Sequence, residues 1–297
     1  MAKKILILTG GGAQHLAPFI KEAEELGLDL TTSSFSRLEY LSGGALSIDG
    51  VDLVSFDVIY IRVVGKRSED AALVASYAKE NGVRIVDKIY EMSRFIKLPL
   101  AKSVEAKVLS EAGIPIPKTY FSKLTNIKEK AGKLLGFPFV IKGTMGKQGN
   151  AVWLPKDEKE LEGLIDELIY REKEGERFIA QEFIKASERR RIFVVGERAI
   201  AAIVRPMRWR KRFIQKVNNE FPEGRREPIT KMDEKDEKLS VAASKALGIE
   251  IAGVDLIKED GRGRQFIMEV NSAPRWDSIK KDTGVNVERK ILEYLSL

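Results

Sequence analysis

Residues 252 to 270 constrain this chain more than any other stretch. Ala252–Lys258 and Gln265–Val270 are two largely apolar runs, and Asp260-Gly-Arg-Gly263 between them is a turn sequence, so a β-hairpin is expected. Asp255, Glu269 and Asn271 are set into or beside these runs. The two-residue period of a strand puts Glu269 and Asn271 on one sheet face. Antiparallel pairing through the turn lets Asp255 face them. Two carboxylates and an amide oxygen make a hard-oxygen set suited to Mg²⁺, which takes few protein oxygens and completes its shell with water or phosphate. A plainer reading makes Asp255 and Glu269 strand-end charges in surface ion pairs. Against it stands the cost of a carboxylate in an apolar strand without a cation.

Composition narrows the chemistry further. The chain has 297 residues, no cysteine and a single histidine, His15. Thiolate catalysis, disulfide scaffolds, iron–sulfur clusters and cysteine-bound zinc are excluded. A triad or a multi-histidine metal site would rest on His15 alone. The length suits two or three small domains around one cleft. The net charge of +7 is concentrated. Lys185 to Arg212 holds ten Lys/Arg against Glu188 and Glu197, leaving the rest near neutral. Such a cluster suggests an anionic partner at one place. No apolar run reaches the roughly 20 residues that span a bilayer. The opening Lys-Lys-Ile-Leu-Ile-Leu reads as a first strand, not a signal peptide. A soluble, cytoplasmic protein without a membrane partner is expected.

The pattern of elements divides the chain. Lys4–Thr9 is a strand, Gly10-Gly11-Gly12 a turn, and Leu16–Leu26 an amphipathic helix. Strands at Val58–Val63 and Val83–Val86 flank a helix at Ala71–Glu80, so residues 1–97 read as a mainly parallel α/β domain. Helices at Ser103–Ala112, Asn126–Leu135 and Asp157–Glu174, with strands at Phe139–Lys142, Ala151–Leu154 and Phe178–Phe183, make residues 98–185 an α+β unit. Beyond it, 186–297, the reading is antiparallel: strands Ile192–Val195 and Ala199–Val204, a helix at Lys235–Leu247, the 252–270 hairpin and a closing helix, Val287–Leu295.

Lys142 ends an apolar strand and leads into a loop, Gly143-Thr-Met-Gly-Lys-Gln-Gly149. Backbone N–H groups of such a loop can hold phosphate, and a strand-end lysine adds a point charge. It lacks the Gly-x4-Gly-Lys-Ser/Thr of a P-loop, and many such loops are plain hairpin turns. The first glycine turn also fails the dinucleotide fingerprint, with His15 at its last position.

Together these pieces resemble the ATP-grasp superfamily, and within it the RimK-like carboxylate–amine ligases that add glutamate or related amino acids. Lys102 resembles the first nucleotide lysine. Lys142 with Gly146 and Gly149 is similar to the second lysine and its lid loop. Gln181-Glu182-Phe183-Ile184 resembles the adenine-holding segment, and Gly253-Val-Asp255 with Met268-Glu-Val-Asn271-Ser-Ala-Pro274 the metal-binding motifs. Ile279-Lys-Lys-Asp-Thr283-Gly284 matches a following family element, and Arg62 a position near the substrate. The sequence departs where the acceptor should sit. Arg189 stands where an acidic residue is usual, with Glu188 the substitute for the ribose contact. Only Lys216-Val-Asn218 remains of an Arg-x-Asn element, the His-Arg-Gly-Gly element is missing, and Arg275 replaces a glycine.

The resemblance implies an ATP-grasp fold with an N-terminal Rossmann-like domain and the nucleotide in a cleft between two α+β units. It also implies ATP, with Mg²⁺ or in its place Mn²⁺ on Asp255, Glu269 and Asn271. An acyl phosphate forms from a carboxylate and is displaced by an amine. Lys102, Lys142, Arg191 and Arg205 would neutralise the approaching anions. Arg205 could equally be a surface charge. The implied partners are an amino acid such as glutamate and a peptide, protein or carrier acceptor, acidic or ribosome-associated; related ligases are commonly homo-oligomers. Arg208-Trp-Arg-Lys-Arg212 reads as a solvated loop, as a docking surface for an acidic acceptor, or as a nucleic-acid contact through Trp209. Three functions stay open: the glutamate ligase, a dipeptide or glutathione-synthetase-like ligase, and a non-catalytic nucleotide-dependent binder of RNA or protein.

Overall fold

The computed structural model of the chain describes residues 3–40, 45–92, 100–145, 151–207 and 227–297. Its first sheet joins β1 (Lys4–Thr9), β2 (Asp29–Ser34), β6 (Val58–Val63) and β7 (Arg84–Val86) in the order β2-β1-β6-β7, all parallel. Helices α1 (Ala17–Leu26), α2 (Ser68–Glu80) and the single turn α3 (Ile89–Met92) accompany it. A small antiparallel sheet, β3 (Leu38–Tyr40), β4 (Leu46–Ile48) and β5 (Val51–Asp52), fills the connection between β2 and β6. The sequence pattern predicts no strand at β2, whose Asp-Leu-Thr-Thr-Ser-Ser lacks an apolar run; pairing with β1 supplies what propensity does not.

The central unit follows α4 (Lys102–Glu111). Its sheet runs β10 (Val152–Trp153), β9 (Phe139–Gly143), β11 (Phe178–Glu182), β8 (Thr119–Phe121), antiparallel throughout. Helices α5 (Leu124–Leu135) and α6 (Glu158–Lys173) pack on it. The last sheet has the order β14-β13-β12-β15-β16, with β12 (Glu188–Val195), β13 (Arg198–Pro206), β14 (Glu227–Pro228), β15 (Ile251–Lys258) and β16 (Gln265–Asn271). Helix α7 (Glu234–Ala246) packs on it, and α8 (Asp277–Thr283) and α9 (Val287–Leu295) close the chain.

The cores do not follow the sheets one to one. One cluster joins Leu6, Leu8, Ile59 and Ile61 of the first sheet with Ile192, Val194, Val254 and Leu256 of the last. A second joins Ile5, Ile7, Phe19 and Tyr60 with Phe193, Ile203, Ile251, Trp276 and Ile291. Ile89 N donates to Gly248 O and Ile251 N to the buried Asp87 carboxylate, stitching the two units through the backbone. The central unit has its own core of Leu124, Ile127, Phe139, Leu161, Ile165 and Phe178.

Candidate active site

Register decides the site. Asp255 lies directly opposite Glu269 on one side and Arg191 on the other; Gly253 lies opposite Asn271 and Phe193. Alternation therefore puts Asp255, Glu269, Asn271, Arg191 and Arg205 on one face of the last sheet. The hairpin reading of 252–270 holds, with a register shift after Asp255. Lower on this face Phe193, Ile203 and Ile251 are core. Beyond the charged band lies a small apolar group of Ile184, Ile257 and Phe266, with Met207 and Met268 against it. A glycine is needed at 253: a Cβ there would stand 2.8 Å from Pro274 Cβ.

Within the band the charges are matched. Arg191 holds the buried Asp255 in a bidentate pair, Nε to Oδ1 at 2.7 Å and Nη2 to Oδ2 at 2.5 Å. Lys102 Nζ lies 3.8 Å from Glu269 Oε1. Asn271 Nδ2 donates to Gly253 O. Arg205 Nη2 donates to Ser278 Oγ at 3.1 Å, across to α8.

A cleft of about 310 Å³ opens between this hairpin and the central unit, lined by Lys102, Glu105, Lys142, Gln181, Ile267 and Met268. Lys102 starts α4, and its backbone N–H donates to Thr144 O just past β9. Lys142 Nζ donates to Gln181 Oε1 at 2.6 Å, and Gln181 Nε2 to Thr119 Oγ1. Enclosure lowers the Lys142 pKa to about 8, with Lys102 adding to the fall and Glu269 opposing it. Glu105 accepts Val270 N at 2.6 Å on the outer edge of β16. Burial, then the Glu269 charge, raises it to about 8, so it is mostly protonated at neutral pH. Glu105 escaped the sequence reading because a lone carboxyl on a helix carries no periodic signal.

The other expected positions scatter. Ile184 joins the apolar group next to the cleft, while Glu182 accepts Lys118 N on the far side of β11. Glu188 is not brought to the cleft. It is hydrogen-bonded to Arg190, which also binds the buried Asp236 of α7, on the opposite sheet face. Arg62 is buried at the end of β6, stacked 3.9 Å from the Trp276 ring centroid and donating to Pro274 O at 2.7 Å. Its Nε and Nη1 have no hydrogen-bond partner among the described residues. His15 sits near it, 3.4 Å from Thr9 Oγ1, its pKa lowered by partial burial and by the Arg62 charge. Arg275 is exposed. Gly146, Gly149, Lys216, Asn218 and the basic stretch 208–212 lie outside the described residues.

A family model for the RimK-like ATP-grasp domain matches residues 101–295, which contain the hairpin and both lysines. The chain belongs to the RimK-like ATP-grasp family. This ATP-grasp ligase is 28% identical over 253 residues to a "Probable alpha-L-glutamate ligase" of Legionella pneumophila (strain Corby), covering 83% of this chain and 78% of that one. It is 30% identical over 259 residues to a "Probable alpha-L-glutamate ligase 2" of Shewanella amazonensis, covering 84% and 80%. Its fold matches the ATP-grasp ligase PsnB complexed with a minimal precursor, with a TM-score of 0.73 at 16% identity and coverage of 99% and 98%. It also matches a RimK domain ATP-grasp protein from Sphaerobacter thermophilus, with a TM-score of 0.69 at 18% identity and coverage of 98% and 99%. The α/β and α+β architecture expected from the sequence is therefore that of an ATP-grasp ligase. Among the described residues no helix is long and apolar enough to cross a membrane.

Proposed function

We propose that this ligase adds glutamate, or an amino acid like it, through its amine to a carboxylate of a peptide, protein or carrier, consuming ATP. The observation that carries the reading is the in-register Asp255–Glu269 pair facing Lys102 and the cleft that holds Lys142. Residues 98–185 then form a lid over a floor built by 186–297, with 1–97 beside the reacting groups. The relatives named as glutamate ligases support the amino acid, and PsnB complexed with a precursor peptide supports a peptide acceptor.

The donor set fits Mg-ATP. Among the described residues no three His, Cys, Asp or Glu side chains gather, so a divalent ion would lean on Asp255, Glu269, the Asn271 amide oxygen and the phosphates themselves. Bound there, it would supply charge neutralisation between the triphosphate and the incoming acid. The chain's own residues do the rest. The group around Ile184, Ile257, Phe266 and Met268 takes the base as an apolar slab. Lys102 and Lys142 hold the phosphate oxygens from the lid side. Arg191, tied to Asp255, and Arg205, tied to Ser278, offset the carboxylate on the other side, so that two anions can meet in line. No protein nucleophile is required, in keeping with a chain that has no cysteine.

The test is ADP release with glutamate and a panel of acidic peptides. Glu269→Ala is expected to abolish release with its circular dichroism unchanged. Wild-type turnover in that variant would sink the reading.

A further inference from the structure

The first turn of α4 carries both Lys102 and Glu105, at an i, i+3 spacing that puts them on one face of the helix. Lys102 sets its Nζ 3.8 Å from Glu269 Oε1. Glu105 grips the same strand by its backbone, accepting Val270 N at 2.6 Å. Val270 lies between Glu269 and Asn271, the two oxygen donors that β16 supplies. Its N–H belongs to the planar peptide unit that also contains the Glu269 Cα and carbonyl. Holding that N–H therefore holds the root of the Glu269 side chain.

The strand needs support at this point. β16 is last in the sheet order, and among the described residues no further strand covers its outer edge. Its inner edge is irregular. Asp255 lies opposite Glu269 and Leu256 opposite Ile267, so Met268 is an extra residue in the ladder, directly before Glu269. A bulge of this kind interrupts the ladder and re-aims the side chains beside it. Two outer-edge bonds bracket it, Ile267 N to Pro115 O at 2.9 Å and Val270 N to Glu105. The first is backbone to backbone. The second depends on one side chain, and that side chain belongs to the helix that presents Lys102.

Glu105 is not placed to take the ion itself. It is buried, whereas the Glu269 side chain is 40% exposed. Nor does it join Asp255 and Glu269 in a three-carboxylate group, since none exists among the described residues. We propose that Glu105 is a positioning residue: through the Val270 N–H it fixes where Glu269 stands relative to Lys102, and this chain needs that spacing to bind a divalent cation with its nucleotide. Removing a group that orients a metal ligand typically weakens metal binding about 10–100-fold.

The proposal rests on the ligase reading above, and its test needs no turnover. ADP binding to the full chain is measured by calorimetry with and without Mg²⁺. Wild type should bind ADP more tightly with Mg²⁺. Glu105→Ala should lose about tenfold or more of that gain, yet bind ADP alone within about twofold of wild type. Glu105→Gln, which keeps an acceptor in the same place, should retain most of the gain. Amide exchange at Val270 in the unliganded chain should speed up in Glu105→Ala and not in Glu105→Gln. If Glu105→Ala does not fold, Glu105→Met fills the space without an acceptor and takes its place. A full Mg²⁺ gain or unchanged Val270 exchange in the variant without an acceptor would overturn the proposal. So would a loss in Glu105→Gln as large as in Glu105→Ala, which would make the carboxylate charge the active feature, or weakened binding of ADP alone, which would make Glu105 a nucleotide contact. Wild type that binds Mg-ADP in the expected pattern but releases no ADP from ATP with any acceptor would keep Glu105 in this role and end the ligase reading.

Discussion

The central unit and the rest of the molecule hold themselves together in different ways. Between β8 and β11 the apolar side chains of Phe139, Leu161, Ile165 and Phe178 pack only among themselves and their close neighbours. The first and last sheets instead share both of their large clusters, with residues as distant in sequence as Ile5 and Leu295 in one core. The cleft runs along the seam. Lys142 comes from the self-contained side, Glu269 from the shared side, and Lys102 stands at the junction, its side chain facing Glu269 and its backbone bonded to Thr144. A reaction that must admit a triphosphate and then exclude water gains from a seam that can open without melting either core.

The sharpest way to break this picture is chemical. Lys142→Ala removes the central unit's charge from the cleft without touching its core. ADP release should fall by about 10²–10³-fold, with the far-ultraviolet spectrum preserved. Turnover within twofold of wild type would mean that the two sides of the seam do not form one site.

Next in size are paired core truncations. Phe193→Ala, which opens a hole under Trp276, should cost about 3–5 kcal/mol, and Leu161→Ala about 2–5 kcal/mol. The energies overlap, but the reach differs. Hydrogen exchange should speed up in both the first and the last sheet for Phe193→Ala, and only between residues 119 and 182 for Leu161→Ala. Loss of protection throughout the chain in both variants would erase the distinction.

The smallest effect is a pH signature at the edge of the shared body. Glu105 has a folded pKa of about 8 against an ordinary 4.5. Between those values the folded state binds more protons than the unfolded one, so stability contributed by the protonated carboxyl is present at pH 4 and lost as pH rises through 8. Glu105→Gln keeps an acceptor for Val270 N and has nothing to ionise. Denaturant unfolding at pH 5 and pH 9 should show a fall in wild type, on the order of a few kcal/mol, that is absent in the variant. An unchanged slope would mean that Glu105 is already ionised in the folded protein.

Much of the site could be read without coordinates because it is local. The hairpin around Asp260–Gly263 sets the register that puts Asp255 opposite Glu269, and the apolar run before Lys142 announces a strand-end lysine. Strands with little apolar content were invisible: four of the six residues of β2 are threonine or serine, and the charged run Glu188 to Arg191 lies ahead of the strand read from Ile192, although β13 and β15 flank it as the start of β12. The fate of Glu188 shows the cost of missing that strand. A neighbour of Arg189 by sequence, it falls on the α7 face by alternation and is taken by Arg190.

The order of lysines, carboxylates and amide along this chain determined the family and the chemistry, because each motif spans a single turn or strand and short-range geometry fixes its side chains. Which charges meet which was decided only in the folded molecule. Pairings such as Arg191 with Asp255 and Arg190 with Asp236 depend on strand register and on a helix residue 46 positions away, and no local spacing encodes them.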